Sequence, residues 1–174
     1  KWLGVDLIRE AEHLARKHGP IEVLDAGGGK GVAMSKLKKA LGDRVKETHV
    51  TTLVQPYPKT KDKSSGEVRS APIPFRYSHK PTFHVAHAEK LSVPSASMHL
   101  VVSVRGATWY TGTRLNYTVA ELVRTMRPGA KAFLHITEPN GAMKEQLKSL
   151  FNRERIKYRY KYGVVGANQQ GAAV

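Results

Sequence analysis

Apolar residues recur at helical spacing at the start of the chain. Leu3, Leu7, Ile8, Ala11, Leu14 and Ala15 fall on one face of a helix read over residues 2–18, which Gly19-Pro20 stops. The pattern then changes to a short apolar run, Ile21–Asp25, which reads as a buried strand. A second helical stripe follows over Val32–Leu41, with Val32, Met34, Leu37 and Leu41 inward and Lys36, Lys38 and Lys39 outward. Gly42-Asp43 ends it, and Val45 to Leu53 reads as the second strand. Further strands are expected at Phe83–Ala86, Leu100–Val104 and Lys131–Ile136, with helices at 116–126 and about 141–152 and a turn at Arg127-Pro128-Gly129. Residues 155–162 alternate, with Ile156, Tyr158, Tyr160 and Tyr162 on one face and Arg155, Lys157, Arg159 and Lys161 on the other, as in a strand. Residues 163–174 are small and polar and read as a frayed tail.

Strands alternating with helices predict an α/β fold, a doubly wound and mostly parallel sheet flanked by helices. The whole chain, 1–174, reads as a single domain large enough for a sizeable core. One segment breaks the rhythm. Residues 55–81 carry five prolines, several serines and little periodicity. They read as a long basic loop containing at most a short helix or hairpin, of the kind that serves as a substrate-binding flap. Only one convincing strand follows the last helix, so the C-terminal hairpin is expected to be incomplete, trimmed or finished by a partner.

The most informative stretch is Val23-Leu24-Asp25-Ala26-Gly27-Gly28-Gly29-Lys30-Gly31. Strand, glycine turn and helix together present a helix N-terminus to a ligand, and the glycines let the backbone turn sharply and be approached closely. The spacing narrows the ligand. A dinucleotide fingerprint needs a final Gly or Ala where this chain has Val32 or Met34, and a P-loop needs Ser or Thr after the lysine where this chain has Gly31.

Charge adds a partner. Twenty-nine Lys and Arg face fourteen Asp and Glu, a net charge of +15 and a pI near 10.1. Such an excess concentrates polyanions, above all nucleic acid. Candidate contacts are Lys59, Lys61, Lys63, Arg69 and Arg76 in the basic loop, and Arg155, Lys157, Arg159 and Lys161. Cysteine is absent, which excludes iron–sulfur radical chemistry, C5-methylation of pyrimidines through a cysteine nucleophile, disulfides and thiolate metal sites; no metal is expected. Lys1-Trp2-Leu3 shows no secretory hydrophobic region and no apolar run approaches ~20 residues. The expectation is an intracellular, cytoplasmic protein without a membrane partner.

The D-x-G-x-G-x-G form of residues 25–31 resembles the first motif of class I S-adenosylmethionine-dependent methyltransferases. Two further segments resemble the same family: Ala86-His87-Ala88-Glu89-Lys90-Leu91-Ser92-Val93-Pro94 followed by His99-Leu100-Val101-Val102-Ser103, and Glu121 to Ala130 with its Arg127-Pro128-Gly129 turn. Together they cover roughly residues 20–140. The resemblance implies a seven-stranded sheet with S-adenosylmethionine at the C-terminal ends of its first four strands. By motif position Asp25, Gly27 and Gly29 meet its amino acid end, with Asp25 receiving the ammonium directly or through water and the amides around Gly29–Gly31 favouring the carboxylate; Ala26, Gly28 and Gly31 belong to the same implied cofactor set. Thr52, His87, Ala88 and Ser103 complete the implied set.

This sequence departs from the family at three acids. Thr51 or Thr52 stands at the end of the second strand, His87 near the adenine, and His99 ahead of the fourth strand. Catalytic groups are poorly marked: no D/N/S-P-P-aromatic motif follows the fourth strand, and the candidates are Arg105, Tyr110, His135 and Glu138, with Trp109 or Tyr110 available to stack on a base. The expected activity is methyl transfer from S-adenosylmethionine, with RNA (ribosomal or transfer) as substrate and RNA or a ribonucleoprotein as partner. The alternatives are a catalytically weakened RNA-binding or ribosome-assembly factor, and a small-molecule methyltransferase with an acidic substrate.

Overall fold

A computed structural model of the chain describes residues 6–52, 59–61, 68–70, 78–110, 114–136, 141–161 and 164–169. Helix α1, Leu7–His18, is capped by Asp6, whose carboxylate accepts from the Arg9 amide at 3.2 Å. Strand β1, Ile21–Ala26, leads through the glycine turn into α2, Val32–Leu41, and a 3-10 turn, Gly42–Arg44, hands the chain to β2, Val45–Thr52. The segment read as a loop carries a short antiparallel hairpin of β3, Lys59–Lys61, and β4, Val68–Ser70. Then come β5, Thr82–Val85; β6, Met98–Ser103; a four-residue helix α3, Ala107–Tyr110; α4, Leu115–Thr125; β7, Met126–His135; α5, Gly141–Arg153; β8, Ile156–Lys161; and β9, Val164–Gln169.

Seven strands form one sheet in the order β5-β2-β1-β6-β7-β9-β8. The first five pair in parallel, while β9 runs antiparallel to both β7 and β8. The strand order reverses beside β1, and such a switch point opens a crevice at the C-terminal strand ends. Two apolar layers cover the sheet. Ile21, Val23 and Val102 pack with Ala11, Leu14, Met34 and Leu37 of α1 and α2 on one face. Leu24, Ala26 and Val101 pack with Leu122, Leu147 and Phe151 of α4 and α5 on the other.

Two expectations are corrected. The tail read as frayed contains β9, and the C-terminal hairpin is complete. Val164-Val165-Gly166-Ala167-Asn168-Gln169 lacks the hydrophobic alternation of a half-buried strand, yet β9 lies between β7 and β8 and is bonded along both edges. The turn at Arg127-Pro128-Gly129 lies inside the span of β7: Met98 pairs with Met126 but Leu100 pairs with Lys131, so the intervening residues form an irregularity with Gly129 at φ 81°.

Candidate functional site

The glycine turn is shaped by contacts as well as by torsions. Gly27, Gly29 and Gly31 have φ of 82°, 55° and 71°, a region costly for other residues. The Gly27 amide donates both to the Thr51 carbonyl at 3.0 Å and to the Thr51 hydroxyl at 3.1 Å, which ties the turn to the end of β2. A Cβ at Gly27 would enter the backbone of Gly106 and Ala107, one at Gly28 would enter the Asp25 carboxylate, and one at Gly31 would come within 2.6 Å of Pro81 Cγ. No side chain caps α2, so the amides of its first turn are left for a ligand.

Beside this turn lies a cavity of about 240 Å³ lined by Leu7, Asp25, Gly27, Gly28, Gly29, Val32, Ala33, Val102 and Val104. Asp25 is the only titratable residue of that lining among the described residues and is 7 % exposed. Burial pushes its carboxyl up to about 7, and among the described residues no neighbouring cation opposes the shift. A buried carboxylate beside a helix N-terminus that no side chain caps is complementary to a zwitterion carrying both an ammonium and a carboxylate. The amino acid end of S-adenosylmethionine is such a group, and the residues present fit it.

Of the sequence-derived cofactor set, Asp25, Gly27, Gly28 and Gly29 line this cavity; Ala26, Gly31, Thr52, His87, Ala88 and Ser103 do not. Ser103 is fully buried, with its hydroxyl donating to the Ala26 carbonyl at 2.9 Å and accepting from the Thr108 amide at 3.2 Å. The Thr108 hydroxyl in turn donates to the His135 carbonyl at 2.7 Å. Ser103 thus clamps β1, β6 and α3 together. Ala88 is buried and His87 exposed, and Thr52 is half-buried at the end of β2. The lining residues that the sequence did not single out as a site are Leu7, Val32, Ala33, Val102 and Val104. Apolar runs marked Leu7, Val32, Val102 and Val104 only as core, and Ala33 carried no signal.

His99 lies at the other end of β6, where its Nδ1 accepts from the Glu22 amide at 3.0 Å, as a carboxylate there would. Burial, with Arg127 and His18 adding to it, lowers its pKa to about 4. This departure from the family is remote from the cavity.

Among the catalytic candidates, Arg105 and His135 are close enough to interact. Burial first, and the Arg105 charge second, lower the His135 pKa, so the imidazole is neutral at pH 7. Arg105 is exposed, with φ 48°. Tyr110 lies in α3, its side chain outside the described residues, as is Glu138. Of the basic set, Lys59, Lys61 and Arg69 belong to the β3–β4 hairpin; Arg155 and Lys157 are exposed; Arg159 and Lys161 continue β8; Lys63 and Arg76 lie outside the described residues. Among the described residues no cluster of three His, Asp or Glu could hold a metal, and no helix is long and apolar enough to cross a membrane.

Comparison with known proteins agrees with the fold and the motifs. Residues 24–134 match a family model described as a methyltransferase domain, and the chain belongs to that family, as an S-adenosylmethionine-dependent methyltransferase of class I. No curated protein matches the sequence. Solved structures share the fold at low identity. The 1,6-didemethyltoxoflavin-N1-methyltransferase of Burkholderia thailandensis, with bound 1,6-didemethyltoxoflavin and S-adenosylhomocysteine, superposes with a TM-score of 0.58 at 18 % identity, over 94 % of this chain and 78 % of its own. Magnesium protoporphyrin IX methyltransferase from Synechocystis, with bound S-adenosylmethionine, gives 0.58 at 12 % identity, again over 94 % and 78 %. The antibiotic-resistance methyltransferase Kmr gives 0.57 at 14 % identity, over 97 % of this chain and 95 % of its own.

Proposed function

We propose that the protein transfers the methyl group of S-adenosylmethionine to RNA. The observation that carries the substrate class is where the charge excess lies. Between residues 144 and 161 seven Lys and Arg face two Glu, and the hairpin segment adds Lys59, Lys61 and Arg69. Phosphate backbones supply the matching charge.

When bound, the cofactor supplies a methyl group on a sulfonium centre. The chain's own contribution is largely positioning. Asp25 would hold the cofactor's ammonium and the first-turn amides of α2 its carboxylate, and Val102 and Val104 would give the methionine end apolar walls. Arg105 steers a substrate phosphate, and the neutral His135 imidazole is available to accept a proton from an acceptor atom.

One observation favours the catalytically weakened alternative: the Thr51 hydroxyl is engaged by the Gly27 amide at 3.1 Å, leaving no carboxylate at the end of β2. Incubation with methyl-tritiated S-adenosylmethionine and total RNA, against an acidic small-molecule panel, separates the readings. Label entering RNA supports the proposal. Label entering only small molecules contradicts it. RNA binding without any transfer would establish the weakened factor.

A further inference from the structure

We propose that His49 and His84 form a proton-controlled clasp that positions the glycine turn: a single proton between their facing ring nitrogens holds the turn, and a second proton there opens it. The effect on S-adenosylmethionine rests on the reading of that turn as the cofactor site; the clasp itself does not.

The registers bring the parts together. His84 of β5 pairs with Thr51 of β2, and His49 lies two residues before Thr51, so all three share one face of the sheet. Leu24 of β1 pairs with His49 and carries the α4–α5 apolar layer on that face. Beyond it, a polar chain replaces the apolar layer. His49 Nδ1 and His84 Nε2 stand 3.1 Å apart, and His84 Nδ1 lies 3.1 Å from Ser92 Oγ in the loop between β5 and β6. The inner end of the chain is buried. His49 Nε2 has no hydrogen-bond partner, and Glu47 Oε2 and Glu22 Oε2 stand off at 3.8 and 4.0 Å. The other carboxylate oxygens are engaged, Glu47 Oε1 by the Thr82 hydroxyl at 2.6 Å and Glu22 Oε1 by Lys46 Nζ at 2.9 Å.

A count of protons fixes the direction of the chain. Two neutral rings hold two N–H groups, and one of these occupies the contact between them. If His49 donated there, its Nε2 would be a bare lone pair buried against two carboxylates. The favourable order runs from the Ser92 hydroxyl to His84 Nδ1 and from His84 Nε2–H to His49 Nδ1, which leaves His49 Nε2–H facing Glu22 and Glu47. A first added proton is taken up by turning the Ser92 hydroxyl into an acceptor, and the contact survives. Charging both rings sets N–H against N–H between like charges, and the contact is lost. Burial first and the His49 charge second hold the His84 pKa below its ordinary 6.5, against Glu47, so the contact is complete above 6.5 and is lost as pH falls through the lowered value. The charged groups facing the pair are Glu22 from β1, with Lys46 bound to it, and Glu47 from β2. From β6, His99 holds the Glu22 amide; from α4, Glu121 and Arg124 bind each other and the loop backbone at Leu91.

The clasp reaches the turn through β2. Thr51, beside His84, holds the Gly27 amide with both its carbonyl and its hydroxyl, and the Thr52 carbonyl holds the Ala86 amide at 3.2 Å. Strand β5 ends the sheet, and among the described residues β2 alone pairs with it. Undocking β5 therefore loosens the end of β2, the cavity-lining Gly27 and the loop that starts at Ala86.

Hydrogen exchange of the cofactor-free protein at pH 7.5 and pH 5.5, corrected for the intrinsic rate at each pH, tests the clasp at the Gly27 and Ala86 amides. The comparison is His84→Gln, which keeps an N–H for His49 and an acceptor for Ser92 but takes up no proton. Titration of Asp25 is common to both proteins and cancels between them. At pH 5.5 the natural protein should lose about tenfold more protection than the variant. Calorimetry with S-adenosylmethionine should show the natural protein losing several-fold more affinity than the variant over the same range. Long-range nitrogen-15 spectra of the natural protein at pH 7.5 should show His84 protonated at Nε2 and bare at Nδ1. Protection that is equal at the two pH values, or that falls equally in His84→Gln, would overturn the clasp, as would a His84 protonated at Nδ1. Protection that follows pH as expected, in a protein that binds no S-adenosylmethionine, would uphold the clasp and overturn the cofactor reading of the turn.

Discussion

Asp25 is where sequence, energetics and function meet. Its carboxyl ordinarily titrates at 3.8 and in the folded protein at about 7. Between those values the folded chain keeps a proton that the unfolded chain has lost, so this residue's contribution to stability declines as pH rises from 3.8 to 7. Asp25→Asn removes the titration while keeping the shape. At pH 8 the variant should be more stable than the natural protein by on the order of 2 kcal/mol, and the gain should vanish near pH 4. Urea denaturation at the two pH values measures it; equal stability throughout would mean the carboxylate is solvated. His99 acts in the opposite direction. Its ordinary value of 6.5 falls to about 4, so its stabilising effect is complete above 6.5 and lost as pH falls through 4. His99→Asn keeps an acceptor for the Glu22 amide and should flatten the decline in melting temperature over that window. Asp25 and its glycines were legible because their chemistry is local in sequence. Thr51 was legible only as an alternative to Thr52, and Val102 and Leu7 were read only as core, since only the folded sheet brings them to the turn.

At the scale of elements, the Arg124–Glu121 ion pair of α4 holds the loop between β5 and β6, alongside the Arg114–Glu89 pair at 3.1 Å. Arg124 donates to Glu121, to Ser95 Oγ at 2.8 Å, and to the Leu91 and Val93 carbonyls at 3.2 and 2.8 Å, while Glu121 Oε1 accepts from the Leu91 amide at 2.7 Å. Arg124→Ala strands these acceptors and should cost about 2 kcal/mol, read as a lower urea midpoint with an unchanged slope. Hydrogen exchange should quicken at the Leu91 amide. An unchanged midpoint would place the loop's stability in its apolar anchors, Leu91 and Val93. Helix α2 was legible to the residue because glycines bound it and its apolar stripe is regular. Strand β9 was not, because Gly166, Ala167 and Asn168 carry no pattern and the two flanking ladders decide its conformation.

The whole molecule depends on that unmarked strand. Since β9 joins β8 to β7, a chain ending at Tyr162 loses β9 and the docking of β8, and it uncovers Ile156 and Phe151. Its melting temperature should fall by at least about 10 °C, whereas a frayed tail could be removed at no cost. Charge is also a property of the whole: the chain carries +15, whereas among the described residues the cavity lining has one titratable group, Asp25. The surface attracts a polyanion, and the cavity takes a zwitterion. The measurement that tests this account most directly is a calorimetric titration of S-adenosylmethionine at pH 6 and pH 8, with the intact chain and Asp25→Asn. Micromolar binding at pH 8, about −8 kcal/mol, should weaken roughly tenfold at pH 6 as Asp25 takes up its proton, and should be lost in the variant at both. Affinity that ignores both pH and the substitution, or no binding at all, would contradict it.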